Sequence, residues 1–294
     1  MFHYISSIFL NSPTSFFQPT IIKNNIAITI MRKILFILSF VLYLCAYGQG
    51  YHLGVNKSVA IKGKVENGYN FWLYSPDSLQ ASEKKPLIIF LHGKSLSGTD
   101  MNRVLRYGTI KAINKYHLAI DAYVIAPQTT NGWNPDKIMN IVNWMKTNCN
   151  IDTTRIYALG MSMGGYGTAD LCAAYPDKIA AGIEICGGCS RRDVSGLSKL
   201  PFWIFHGTAD RAVAYNTATT LSEKIKQNGD SRLLFTKLKG YNHGQPERIF
   251  NIIETYDWLM SHSLTDEDRP VNKDYYDVIT VEKLTFKANS NYTR

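Results

Sequence analysis

No apolar run in this 294-residue chain reaches the length of a membrane span. The stretch Ile34 to Leu44 stops at eleven residues, where a spanning helix needs about 20. Basic runs and basic amphipathic helices are also missing. The formal charge of +9 is scattered, and it falls to +6 without residues 1–48, which carry Lys23, Arg32, Lys33 and no acid. Nucleic acid is therefore not an expected partner. Cysteine is scarce, at five residues, and Cys186-Gly-Gly-Cys189 has metal or redox spacing without a second Cys/His pair to complete a site. We expect no metal and no cofactor, and a structural role for Cys186 and Cys189, free or bridged. The pairing of Cys149, Cys172, Cys186 and Cys189 is not readable from spacing. No repeat or low-complexity linker divides the chain, so one domain is expected over about 52–263.

What is present begins with an apolar content of 45%, ample for a core. Near the start, Met31-Arg32-Lys33 precedes the apolar run, and Ala46 and Gly48 close it with a small-x-small ending. This pattern describes a secretory signal peptide over 31–48, cleaved between Gly48 and Gln49. Residues 1–30 are read as upstream sequence ahead of a true start at Met31, with a genuine long leader as the alternative. A lipid anchor on Cys45 ranks below cleavage, because Leu44 is bulky where a small residue is needed. The expected location is secreted or periplasmic.

Ser58–Val65 and Tyr69–Ser75 alternate in polarity around Glu66-Asn67-Gly68 and predict an antiparallel hairpin. From Pro86 onward, short apolar runs alternate with helical patterns: Leu87–Leu91, Ala122–Ala126, Ile156–Leu159, Ala181–Ile185, Phe202–Phe205 and Leu233–Leu238. Such alternation predicts an α/β fold with a mostly parallel central sheet and helices on both faces. Ile138, Ile141, Val142 and Met145 recur at helical spacing, as do Ile249, Ile252, Ile253, Tyr256, Leu259 and Met260. Residues 264–294 form a polar extension with one candidate strand around Val278–Phe286.

The chemistry gathers at loops after the strands. Ser162 lies in Gly160-Met-Ser-Met-Gly164-Gly165, directly between a strand and a helix pattern, where a tight turn demands small neighbours. A serine hydroxyl is a poor nucleophile and needs a base, which in turn needs an orienting carboxylate. Asp210 follows the strand Phe202–Phe205 within His206-Gly-Thr-Ala-Asp210, and His243 follows the next strand within Asn242-His243-Gly244. The order Ser162, Asp210, His243 suits nucleophile, acid and base in this architecture. Asp193 is the competing acid, but it sits among Arg191, Arg192 and Ser195 and follows no strand end so cleanly. An oxyanion hole needs two backbone donors, expected at Met163 and at Lys94 in the loop after Leu91.

With these residues the chain resembles the α/β-hydrolase superfamily. More narrowly, it is similar to the secreted esterase and predicted-peptidase-like group related to polyhydroxybutyrate depolymerases, feruloyl esterases and acyl-protein thioesterases. The stretches that carry the resemblance are Leu91-His92-Gly93, Gly160 to Gly165, Cys186-Gly187-Gly188, His206 to Asp210 and Asn242-His243-Gly244, within about 60–262. It implies Ser162 as nucleophile, His243 as base then acid, Asp210 as orienting acid, and the Lys94 and Met163 N–H groups as oxyanion hole. Lys94 departs from the pattern, because many relatives carry a small or aliphatic residue there.

Many hydrolases of this fold insert a helical lid after the sixth strand, yet only a short loop separates Gly187 from Pro201, so no cap domain is expected. An open site suits an ester carried on a large substrate such as a polysaccharide. Trp133, Tyr166 and Tyr241 are candidate substrate-binding residues, with Trp133 placed to stack on a sugar or phenolic ring. The leading expectation is a secreted serine carboxylic-ester hydrolase that removes acetyl or feruloyl groups from polysaccharides. A prolyl-oligopeptidase-like peptidase, a phospholipase or thioesterase, and a non-catalytic binding protein on the same scaffold are the alternatives. Nothing in the chain implies a stable protein partner.

Overall fold

Among the described residues eight short strands assemble into one sheet in the order β1-β2-β4-β3-β5-β6-β7-β8. They are β1 (Ser58–Ile61), β2 (Phe71–Tyr74), β3 (Lys85–Leu91), β4 (Tyr123–Pro127), β5 (Ile151–Met161), β6 (Ala181–Ile185), β7 (Phe202–Gly207) and β8 (Leu233–Leu238). The computed structural model describes residues 30, 31, 33, 34, 58–76, 83–229, 231–269 and 271. These belong to two units, Met1–Gln49 and Gly50–Arg294. In the first unit the described residues are helical; the rest of the expected leader, with its cleavage point and Cys45, lies outside the described residues. No helix among the described residues is long and apolar enough to cross a membrane.

The six strands from β3 to β8 pair in parallel, while β2 runs antiparallel to both β1 and β4. Parallel strands covered on both faces have no solvent side, which is why they read as uninterrupted apolar runs rather than alternating ones. Along β3, Leu87, Ile89 and Leu91 enter one core, and Ile88 and Phe90 enter the other. On the first face lie α2 (Pro135–Asn148), α3 (Met163–Ala174) and α4 (Tyr215–Lys226). On the second lie α1 (Thr109–Tyr116) and α5 (Ile253–Met260). Ile138, Ile141, Val142 and Met145 are all fully buried along α2, as their spacing predicts. That helix begins at Asn134, whose side chain accepts the N–H groups of Asp136 and Lys137, with Pro135 in the first turn.

The expected hairpin forms, with shorter strands than the alternation predicts. Asn67 supplies a left-handed turn residue at φ 50°. In contrast, β5 extends five residues ahead of its apolar run, because Ile151 also pairs with Lys85 across a register shift. The stripe from Ile249 to Met260 is two elements rather than one helix: a 3-10 helix over Gln245–Asn251, an extended residue at Ile252, then α5. The break has a local cause. The Thr255 and Tyr256 hydroxyls donate to the carbonyls of Ile249 and Phe250, which a continuous helix would have given to backbone N–H groups.

The connection from β6 to β7, residues 186–201, carries only a 3-10 turn at Ser195–Lys199, so no helical cap stands over the sheet there. Just after Ser263, Leu264 N–H bonds the Thr154 carbonyl, and the Arg269 guanidinium donates to the carbonyls of Pro176, Ile179, Ala180 and Lys199. The candidate strand around Val278–Phe286 lies outside the described residues.

Candidate active site

The turn from β5 to α3 is built by exclusion. A Cβ on Gly160 would lie 2.4 Å from the Gly164 carbonyl oxygen and 2.7 Å from that of Leu91. A Cβ on Gly164 would lie 1.8 Å from the Leu91 oxygen, so only hydrogen fits at either position. Between them Ser162 adopts φ 60° and ψ −122°, a strained backbone for a residue with a side chain. Its N–H is anchored on the Ile185 carbonyl at 2.8 Å, which fixes the elbow to the end of β6.

Two loops from the same sheet edge complete the constellation. His243 Nε2 lies 2.9 Å from Ser162 Oγ, and His243 Nδ1 lies 2.7 Å from Asp210 Oδ2. The other Asp210 oxygen accepts the N–H groups of Ala212 and Val213, each at 2.9 Å. Burial pushes the Asp210 carboxyl up, but its bonds to His243, Val213 and Ala212 outweigh this and hold it below the usual carboxylate range. The carboxylate is thus ionised and aimed at one ring nitrogen, leaving the other as an acceptor for the serine proton. Asn242 shapes the histidine loop, its side-chain oxygen accepting from Gly244 and Gln245 N–H. Asp193, the competing acid, is exposed and accepts Ser195 N–H instead.

Ser162 and His243 open into a cavity of about 480 Å³ walled by Tyr107, Met161, Ala212 and Val213, with Lys94 and Glu247 also lining it. Lys94 and Met163 are the first residues of a 3-10 helix and of α3, so neither N–H has a partner within its own helix. A serine hydroxyl, an imidazole, a carboxylate and two N–H groups without an intrahelical partner gather on one edge, an arrangement of the kind acyl transfer requires.

Comparison with known proteins sets the chain beside several esterases. No family model matches the chain. It is 30% identical over 245 residues to feruloyl esterase B of Talaromyces funiculosus, covering 79% of this chain and 63% of that protein. It is 31% identical over 94 residues to a probable acetylxylan esterase A of Aspergillus flavus, covering 32% and 27% respectively. The solved structure of a thermostable esterase superposes with a TM-score of 0.63 at 27% identity, covering 72% of this chain and 64% of that one. This chain has the α/β-hydrolase fold. It spans less than two thirds of the length of each of these three proteins.

Within this fold the three aromatic residues singled out in the sequence lie outside the lining of the serine cavity. Trp133 lies beside it, donating its indole N–H to the His92 carbonyl at 3.1 Å and meeting the His92 ring edge-on at 4.8 Å. Tyr166 packs over Gly188. The Tyr241 carbonyl accepts Ala209 N–H and so shapes the turn that carries Asp210. None of the three is among the residues lining the 480 Å³ cavity.

Other residues matter that sequence alone did not single out. His92 is fully buried, with Nδ1 on the Gly93 carbonyl and Nε2 accepting Thr129 N–H, and burial lowers its pKa, keeping it neutral. His206, also fully buried, holds the Val213 carbonyl at 2.9 Å behind the Asp210 turn. Both belong to His-Gly pairs at strand ends, a signal visible in the sequence; Tyr107 has no such mark. None of the four described cysteines is in a disulfide, so Cys186 and Cys189 are not bridged. Cys186, Asp210 and His243 bring ligand atoms within 4.8 Å of one another. Burial drives the Cys186 thiol up and keeps it protonated, which disfavours the thiolate a soft cation needs.

Proposed function

We propose that this chain is a serine carboxylic-ester hydrolase that works through an acyl-enzyme and removes acetyl or feruloyl groups from polysaccharides. The observation that carries the reading is His243 bonded at once to Ser162 Oγ and to Asp210. His243 accepts the Ser162 proton as Oγ attacks the ester carbonyl. The developing oxyanion is met by the Lys94 and Met163 N–H groups. His243 then passes the proton to the departing sugar oxygen, and a water activated by the same ring releases the acid and restores Ser162.

The cavity walls support the acyl side of this reading. Tyr107, Met161, Ala212 and Val213 offer apolar surface to an aromatic acyl group, which acetyl would only partly fill. The absence of a helical cap between β6 and β7 suits an ester that stands on a polymer. The feruloyl and acetylxylan esterases among the relatives bear names consistent with this substrate class. Export through the segment Met31 to Gly48 completes the proposal, since a polysaccharide substrate lies outside the cell.

The test is hydrolysis of p-nitrophenyl acetate, longer p-nitrophenyl esters and methyl ferulate by the protein beginning at Gln49, with Ser162→Ala alongside. Release by the wild type and a loss of at least about 1,000-fold in the variant is expected. Equal activity in the two proteins would overturn the assignment, and the chain-length profile separates acetyl from feruloyl preference.

A further inference from the structure

A second concavity, of about 540 Å³, opens at the same sheet edge, with the loop after β3 running from one to the other. The loop after β3 serves both: Gly93, Lys94 and Ser95 line the serine cavity, while Gly98 and Thr99 line the second. Ser95 and Gly98 are three residues apart, so their Cα atoms are separated by at most about 11 Å. The opposite wall comes from the turn of the hairpin. Because β2 is antiparallel to β4, with Phe71 paired to Pro127, the residues before Phe71 stand beside the carboxyl end of β4. Tyr69 and Asn70 are thereby brought against the loop 128–134.

Two aromatic rings are held rigidly in this groove. Tyr69 and Trp133 meet edge-on with centroids 5.3 Å apart. The Tyr69 hydroxyl accepts Asn134 N–H, and the Trp133 indole donates to His92. Both rings are half-buried and fastened at their polar ends, so a ligand need not order them on binding. Around them Thr99, Thr130, Asn131 and Lys137 are exposed. Among the described residues no carboxylate lines the groove, and Met101 is the one long aliphatic side chain there. These features disfavour a cationic ligand and an acyl or apolar peptide chain. They match a pyranose or furanose chain, whose C–H faces lie on aromatic rings while its hydroxyls take amide, hydroxyl and ammonium groups.

We propose that this groove binds the sugar backbone of the substrate, in units adjoining the esterified one, and so presents the ester to Ser162. The inference deepens the esterase reading and rests on it for the direction of the chain. A sugar on Trp133 also bears on His92, the residue that precedes Gly93 in the oxyanion loop.

The experiment titrates the Ser162→Ala protein with xylohexaose, mannohexaose and cellohexaose, followed by calorimetry. Saturable binding of at least one is expected, weakened by at least about five-fold in Asn131→Ala/Lys137→Ala on the same background, whose exposed sites leave the fold intact. Tyr69→Ala is expected to weaken it further. No saturable heat from any of the three up to about 10 mM, or binding that the double variant leaves unchanged, overturns the groove. These probes carry no ester, so a wild type inactive on every ester would sink the esterase reading and leave the binding result to decide the groove by itself.

Discussion

The hydroxyl of Tyr107 accepts the backbone N–H of Gly93, the residue just before the expected oxyanion donor. The ring is wedged edge-on against Phe90 at 6.0 Å and lies 6.4 Å from Phe250, so the hydroxyl is fixed by the core of the second face. With the Gly93 N–H taken, the next N–H along the loop, that of Lys94, is the one left for an oxyanion. Tyr107→Phe keeps the ring and removes the acceptor, leaving a buried N–H unpaired at a cost of about 1–3 kcal/mol. The expected result is a kcat lower by at least about ten-fold, with KM on p-nitrophenyl acetate little changed. An unaltered kcat would show that the loop is held by other contacts.

Asp210 is expected to act by orientation. In Asp210→Asn one side-chain oxygen can still accept from Ala212 and Val213, so the turn survives. The amide NH₂ then faces His243 Nδ1 and favours the tautomer that cannot take the serine proton. Activity should fall by about 10³–10⁴-fold with the thermal midpoint nearly unchanged. Steady-state kinetics and a melting curve on the same preparation check both halves.

Gly164 tests the steric account of the elbow without touching the chemistry. In Gly164→Ala the new methyl would lie 1.8 Å from the Leu91 oxygen, inside the junction of β3, β5 and α3. Backbone must move, and neither the strand nor the helix can yield cheaply. Destabilisation of more than about 3 kcal/mol is expected, or failure to accumulate folded protein. A variant as stable as the wild type in urea would show that the turn is looser than the geometry implies.

What the sequence reveals here follows from how local each constraint is. Gly160 and Gly164 are legible because the steric rule at a strand-to-helix turn acts over five residues. The buried strands are legible because parallel pairing leaves no polar side. Asp210 and His243 are legible because chain order and strand ends place them on one edge. Tyr107 is not legible: it reaches Gly93 only through the packing of Phe90 and Phe250. The break at Ile252 was hidden for a similar reason, since apolar spacing cannot report that Thr255 and Tyr256 hydroxyls capture two helix carbonyls. The sequence puts Trp133 in the loop after β4, but its indole N–H bond to His92 depends on how the loops after β3 and β4 meet.

Glu184 makes stability depend on pH in a direction opposite to that of most carboxylates. It lies within β6, fully buried, with one oxygen accepting Gly187 N–H and the other without a partner. Burial pushes its pKa from 4.5 up to about 8, the Gly187 bond opposing only in part. Below pH 4.5 both folded and unfolded chains hold this proton, and the group adds no pH dependence. Between 4.5 and about 8 the unfolded chain has released the proton while the native chain keeps it, so native stability falls as pH rises, by about 1.4 kcal/mol per unit at most. Glu184→Gln keeps the shape and the Gly187 bond and cannot ionise. The variant should therefore outlast the wild type in urea at pH 8, with the advantage shrinking toward pH 5. Parallel stability curves for the two proteins across that range would mean that Glu184 titrates alike in both states, and that the buried carboxyl finds a partner for its charge.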